Sequence, residues 1–537
     1  MMVNFLPIFP LLLLLRNIDA FPTADLRHRS IYQVLTDRFA TPDNSVLPCD
    51  PADKRYCGGG WKGIENHLDY IQGMGFDTIW ISPIVANIPG GSAIGESYHG
   101  YWASDIFEIN ARFGTKQDLA DLSSTLHQRG MYLMVDVAVN HLGASSPQNF
   151  LAKADYGPFN RPEYFHDFAL VTDWEDRVQR EQCWIGQEMP DLDTEHPFVI
   201  HTLLEWIADL VREYQIDALR IDTVKHIRMD FWPEFVDKAG VACMGEVLHG
   251  DPVVLAGYQR DSMRSLLDFA TMYALKDSFR TPLADMSRLA REITKIQRVL
   301  PDPTLLGSFL DTHDEPRFAG GVADPTLVEN AAVYPFINDG FPIMYQGTEH
   351  GLRGGNDPLN REAIWLHGYD QTTPRYLMFQ ALNAARRAAA ASNPEFYTTT
   401  ARTFQLNNNS LVVSKAPLLA LLNNYGRSSP IRTAHLDVIK TSYGPSLLVI
   451  DVLSKQIYLT DKTGGLSIPI ENGEPRVFLP LSVFKGISPK EEWSMLAQPI
   501  RPRLWRPTPS GRGGRPQRKT TSWSGVLGWF GVKHPEL

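Results

Sequence analysis

The sequence predicts an α/β fold: a (β/α)8 TIM barrel with an insertion domain after strand 3 and a C-terminal all-β sandwich domain. Three observations carry that expectation. Short apolar, strand-like runs alternate with helical patterns from residue 77 to residue 345. The rhythm breaks over residues 142–200, which are aromatic and polar without a clean period. Beyond residue 397, short strands divided by turns replace the helices. The early strand runs are apolar almost throughout, as strands buried on both faces must be, and polar residues follow each of them.

Taken in chain order, the first element is an apolar run over residues 5–15. It is shorter than the ~18 residues that span a bilayer and reads as the core of a signal peptide cleaved after Ala20, which predicts secretory entry. Cys49 and Cys57 stand among Pro and Gly residues, where a disulfide would staple a small loop. Cys183 and Cys243 have no partner evident in the sequence, and the lack of any CxxC spacing argues against cysteine metal ligation. Strands are expected over residues 77–83 and 131–139. After the insertion comes a helix with Leu203, Leu204, Ile207, Leu210, Val211 and Tyr214 on one face. Further strands follow over 216–221, 243–248, 305–310 and 342–345, so the barrel spans residues 21–396 with the insertion inside it. The sandwich, 397–486, has strand signals at 410–413, 418–422, 446–452 and 456–459.

Residues 487–537 are rich in Pro, Arg and Gly and are expected to be disordered. Residues 500–519 carry six Arg and one Lys without an acid, so the −10 net charge of the 537-residue chain becomes −17 elsewhere. An acidic main body offers no footprint for nucleic acid. No later segment qualifies as transmembrane, and a monomer is expected.

Barrel enzymes carry their chemistry at the C-terminal ends of the strands. Those ends hold Asp136 with Asn140 and His141, Arg220 two residues before Asp222, Glu246 after Gly245, and His313 with Asp314. One carboxylate kept ionised by a neighbouring Arg and one carboxyl kept protonated by burial are what glycoside hydrolysis requires. Singly, each acid reads as a cap or a loop ligand; the set does not.

These segments resemble the fungal α-amylases of glycoside hydrolase family 13, over residues 28–485. The likeness is carried by residues 136–141, 219–226, 245–248 and 309–314, with 98–102, 190–193, 354–358 and 360–362 in support. It implies an endo-acting, retaining α-1,4-glucan hydrolase, with Asp222 as nucleophile, Glu246 as general acid/base and Asp314 as transition-state stabiliser. It further implies that His99, Tyr101, Trp102, His141, Arg220, Lys225, His226, His313, Asp357 and Arg361 contact an α-glucan. A calcium ion is implied at Asn140, Glu181, Asp191 and His226, with backbone carbonyls from Glu181 and His226.

The chain departs from the family pattern at Thr312 and Glu315, where Asn is usual, and at His249, where Asp is usual. Ala169 replaces the cysteine that would pair with Cys183. Two other readings stand beside hydrolysis: a 4-α-glucanotransferase on the same scaffold, and an inactive glucan-binding protein. The second should have lost a catalytic carboxylate, and none is lost.

Overall fold

The computed structural model describes residues 22–484 apart from Asn149 and Ala154. The expected signal peptide and basic tail lie outside the described residues. Eight parallel strands close into a barrel: β1 (Ile31–Val34), β2 (Thr78–Ile81), β3 (Tyr132–Val137), β4 (Ala218–Ile221), β5 (Ala242–Gly245), β6 (Ser265–Leu267), β7 (Leu306–Ser308) and β8 (Phe341–Tyr345). Pairing of Ile31 with Ile343 closes the ring. β1 and β6 are additions to the strands legible in the sequence. β6 is only 3 residues long, and Gln33 interrupts the apolar run of β1.

Side chains alternate across a strand, and that alternation builds the site. Tyr32, Ile79, Leu133, Val135 and Leu219 point outward into the core shared with the surrounding helices. Ile31, Trp80, Met134, Ala218, Met244, Phe341 and Ile343 fill the barrel interior. Gln33, Asp136 and Arg220 stand two residues beyond Ile31, Met134 and Ala218, on the same inward face. The apolar plug is therefore capped by a polar layer at the C-terminal mouth. The expected helix forms over Pro197–Tyr214, with Pro at its first turn and a left-handed Gln215 ending it, and its apolar face is buried as predicted.

The insertion leaves and re-enters the barrel at one point. Leu142 donates its N–H to the Pro190 carbonyl at 3.0 Å, and Leu192 donates to that of Asn140 at 2.9 Å. His141 and Asp191 pair between them. Cys49 and Cys57 form the expected disulfide, with Cα atoms 5.5 Å apart. Cys183 and Cys243 are unbridged.

The C-terminal domain is antiparallel: β9 (Arg402–Asn407), β10 (Ser410–Lys415), β11 (Leu418–Asn423), β12 (Arg432–Leu436), β13 (Leu448–Asp451), β14 (Ile457–Leu459), β15 (Leu466–Ile470) and β16 (Arg476–Pro480). Six strands form one sheet in the order β9-β10-β11-β16-β13-β14, and β12 pairs with β15. Leu418, Ala420 and Leu422 face the barrel-side core. Leu419 and Leu421 pack instead with Ala434, Leu436, Ile468 and Ile470 of the smaller sheet. Burial on both faces explains the unbroken apolar run of β11. Among the described residues no helix is long and apolar enough to cross a membrane.

Candidate active site

Arg220 is the hub of the polar layer. Its Nη1 reaches both Asp136 oxygens, at 2.9 and 3.0 Å, and Asp222 Oδ1 at 2.8 Å. Its Nη2 lies 2.8 Å from Glu246 Oε1. The other Glu246 oxygen accepts the N–H of Thr223 at 3.1 Å. Thr223 holds that pose at φ 51°, the left-handed region that a β-branched residue enters only at a cost. The turn after β4 is thus bent to aim an amide at the acid after β5.

From the sequence, Arg220 was expected to hold Asp222 low. Burial outweighs it: burial first, then the Glu246, Asp136 and Asp314 carboxyls, push Asp222 well above the usual Asp range against the pull of Arg220. Asp136 is raised to about 6, again mainly by burial. Asp136 also accepts the Trp80 indole N–H at 3.0 Å and the Tyr101 hydroxyl at 2.6 Å. Sequence reasoning noted this acid in its motif without giving it a role; its three donors make it the anchor for Arg220 and Tyr101.

Tyr101 and His313 stack with ring centroids 5.4 Å apart, and the Tyr101 hydroxyl lies 2.8 Å from His313 Nε2. Burial, with Arg361 and Arg220 nearby, pushes His313 well below the ordinary histidine value, so the ring is neutral. Asp314, whose side chain is 40% exposed, lies 3.4 Å from Arg361 Nη2 and 3.3 Å from His313 Nε2. Arg361 donates from Nε to the His313 carbonyl at 3.0 Å and pairs with Asp357 at 3.0 Å. The neighbouring Asn360 amide bonds the carbonyls of His313 and Glu315 at 2.8 and 2.9 Å. Asn360 and Arg361 therefore fix the turn that presents Asp314.

Of the other expected residues, His99, Trp102, His141 and His226 are buried. His99 is buried behind Tyr101 and accepts the Tyr101 N–H on Nδ1 at 3.1 Å, which makes it a support for that ring. Trp102 is 2% exposed and packs with Ile88, Ile185 and Met189. His141 is buried, and burial lowers it to about 4. Lys225 donates to the Leu248 carbonyl at 3.1 Å, and burial lowers it to about 8. His226 is buried, with Nδ1 3.2 Å from the Arg180 carbonyl and its ring edge-on to Trp174.

At the foot of the insertion, Asn140 Nδ2 donates to Asp191 Oδ1 at 2.7 Å. His166 Nδ1 lies 2.7 Å from the other Asp191 oxygen. Glu181 turns its carboxylate to Arg177 at 3.0 Å, which leaves its backbone carbonyl as its usable ligand. Cys183 is free, as the alanine at 169 implied; the Ala169 carbonyl instead accepts the Trp184 N–H at 2.8 Å.

A (β/α)8 barrel whose mouth gathers Asp222, Glu246 and Asp314 around buried guanidinium groups defines a glycoside hydrolase. The alpha-amylase catalytic-domain family matches residues 33–410, and the alpha-amylase domain C family matches residues 398–488. The chain belongs to the α-amylase family, glycoside hydrolases acting on α-1,4 bonds. It is 38% identical to alpha-amylase 1 of Schwanniomyces occidentalis, covering 87% of this chain and 92% of that one. With the alpha-amylase of Saccharomycopsis fibuligera it shares 37% identity over 84% of this chain and 92% of that one. The solved alpha-amylase of Malbranchea cinnamomea is 39% identical and superposes with a TM-score of 0.84, covering 87% of this chain and 99% of that one.

Proposed function

We propose that this α-amylase cleaves internal α-1,4 bonds of starch- or glycogen-type glucans with retention of configuration. Asp222 attacks the anomeric carbon while Glu246 protonates the departing glycosidic oxygen. Glu246 then takes a proton from the water that releases the glycosyl-enzyme. Asp314 bonds sugar hydroxyls more strongly as the ring flattens. The observation that carries this reading is the bonding of Asp222 and Glu246 to adjacent nitrogens of Arg220. Two carboxyl groups tethered to one guanidinium suit the closely spaced pair of a retaining enzyme, in which one carboxylate attacks directly. Tyr101 offers the sugar an aromatic face, and Lys225 and His226 lie toward the leaving-group side.

A calcium ion fits the foot of the insertion. Asn140 and Asp191 would supply side-chain oxygens and Glu181 and His226 their carbonyls, the buried Asp191 carboxylate, held by Asn140 and His166, being the anionic ligand of the set. There the ion is structural, tying the insertion to the barrel. The likeness to fungal α-amylases and the apolar N-terminal run support secretion, with the chain acting as a monomer.

Transfer to a second glucan is the reading to test against hydrolysis, because Glu315 and His249 alter the acceptor side. A cyclomaltodextrin glucanotransferase 25% identical to this chain superposes with a TM-score of 0.70. Product analysis on maltoheptaose decides. Shorter products with the α configuration are expected; products longer than the substrate would favour transfer. Asp222→Asn and Glu246→Gln should each lower turnover on the order of 10³-fold while keeping the fold. Near-normal activity in either would refute the assignment.

A further inference from the structure

Gln33 has no assigned role, yet it ends a directed chain of hydrogen bonds. Its Nε2 lies 2.7 Å from His313 Nδ1, His313 Nε2 lies 2.8 Å from the Tyr101 hydroxyl, and that hydroxyl lies 2.6 Å from Asp136 Oδ2. All four side chains, with Trp80, line one narrow crevice at the barrel mouth.

The direction of every bond follows from proton counting. Asp136 is paired through both oxygens with Arg220, so it accepts, and the single Tyr101 proton goes to it. The Tyr101 oxygen must then accept from His313, which places the one proton of the neutral ring on Nε2. That leaves Nδ1 as a bare lone pair needing a donor. The amide NH2 of Gln33 is that donor, and Gln33 Oε1 makes no hydrogen bond among the described residues.

We propose that Gln33 is a positioning residue of the hydrolytic reaction: by donating to Nδ1 it locks His313 as the neutral Nε2–H tautomer and points that proton at the Tyr101–Asp314 side of the cleft. This rests on the reading that Tyr101 and His313, tied by that Nε2 proton, contact the reacting sugar. A histidine can adopt either tautomer, and its second nitrogen's partner decides which. A neutral amide makes the choice without drawing a second proton to the ring. The charged groups facing the imidazole are Asp314 and Glu246 on one side of the balance and Arg361 and Arg220 on the other. The rings around it are Tyr101, Trp80 and Tyr345. Burial and the two guanidinium groups hold the ring neutral, and the group on Nδ1 sets which nitrogen carries its one proton.

Gln33→Glu tests this directly, because it keeps the length and reverses the bond: a carboxylate accepts a proton from Nδ1. The expected result is a fall in kcat on the order of tenfold, with KM little changed. A histidine ionisation, absent from the parent enzyme, should also enter the pH profile of kcat/KM. Gln33→Leu should lower kcat without adding that ionisation. The third measurement needs no variant at position 33. In the full chain labelled with 15N-histidine, with the His313 signals assigned by their loss in His313→Gln, the ring should show a protonated Nε2 and a bare Nδ1. Parent-like kcat and pH profile in Gln33→Glu would overturn the proposal. So would an Nδ1–H tautomer in the parent protein, even if the variants failed to fold. Retained activity in Asp222→Asn would instead refute the catalytic assignment and leave the tautomer result standing.

Discussion

Arg220 Nη2 lies 2.8 Å from Oε1 of Glu246, the group proposed to deliver the proton. The same guanidinium holds Asp222 through its other terminal nitrogen. Asp136, Asp222, Glu246 and Asp314 face two cations, Arg220 and Arg361. With Asp357 also paired to Arg361, the carboxylates outnumber the guanidinium groups that hold them, and burial raises the cost of ionising Asp136 and Asp222 together. Arg220 ties the Asp222 and Glu246 carboxyls to one guanidinium, so the two share a single positive charge.

Asp136 is the part of this arrangement with no direct chemistry to perform. Asp136→Asn removes the charge that pairs with Arg220 and leaves the guanidinium free to shift away from Asp222. Breaking such a buried pair should cost about 3 kcal/mol of stability. A lower melting temperature together with lower kcat is the expected outcome. Unchanged thermal unfolding and unchanged kinetics would show that Asp136 does not anchor the site.

Much of this was legible in the sequence because the acids follow apolar strands at the mouth, and a strand end is a local signal. The strands of β3, β4, β5, β7 and β8 announced themselves as runs buried on both faces. β1 did not, and with it Gln33 was missed: a lone Gln in an apolar tetrapeptide reads as a break in the pattern. β9 escaped because its apolar face is only Phe404 and Leu406, both half-buried, too short an alternation to stand out. The burial of Trp102 was not legible either, because adjacency to Tyr101 says nothing about how deep a side chain sits. The upward push on Asp222 was not legible, because an arginine two residues away is visible in sequence, whereas burial is not.

His313 supplies a pH dependence of stability. Its folded-state pKa is well below the ordinary 6.5 because of burial and two nearby guanidinium groups. As pH falls through about 6.5, the unfolded chain takes a proton that the folded ring refuses, so stability drops until the folded pKa is reached. His313→Gln has no such proton to take. Its melting temperature should fall less steeply than that of the parent between pH 7 and pH 5, read by calorimetry. Parallel curves would mean that the ring is protonated in the fold.

Chelation should lower thermal stability. A cation bound only by the folded chain, at a hundredfold excess over its Kd, stabilises by about 2.7 kcal/mol, which for a chain of this size means a drop of several degrees. Elemental analysis of purified protein should find calcium near one per chain. An unchanged melting temperature in excess chelator, with no calcium found, would rule out the site at Asn140 and Asp191.

Glu315 does not turn toward Asp314. Its carboxylate faces Lys276 at 3.7 Å and the Tyr273 hydroxyl at 3.4 Å, while Thr312 accepts the Asp314 N–H at 3.2 Å. Restoring Asn at both positions frees Lys276 and Tyr273 and alters the acceptor side of the cleft. The ratio of hydrolysis to transfer on maltoheptaose should change. An identical product profile would mark both positions as neutral.

The role of Asp222 as nucleophile is tested most directly by trapping. A fluorinated α-glucosyl fluoride, whose slowed second step lets the glycosyl-enzyme accumulate, should label the enzyme once per chain. Peptide mass mapping should then place the sugar on the Asp222 carboxylate. Label on Glu246 or Asp314, or an enzyme that turns over without ever carrying a covalent sugar, would contradict the account.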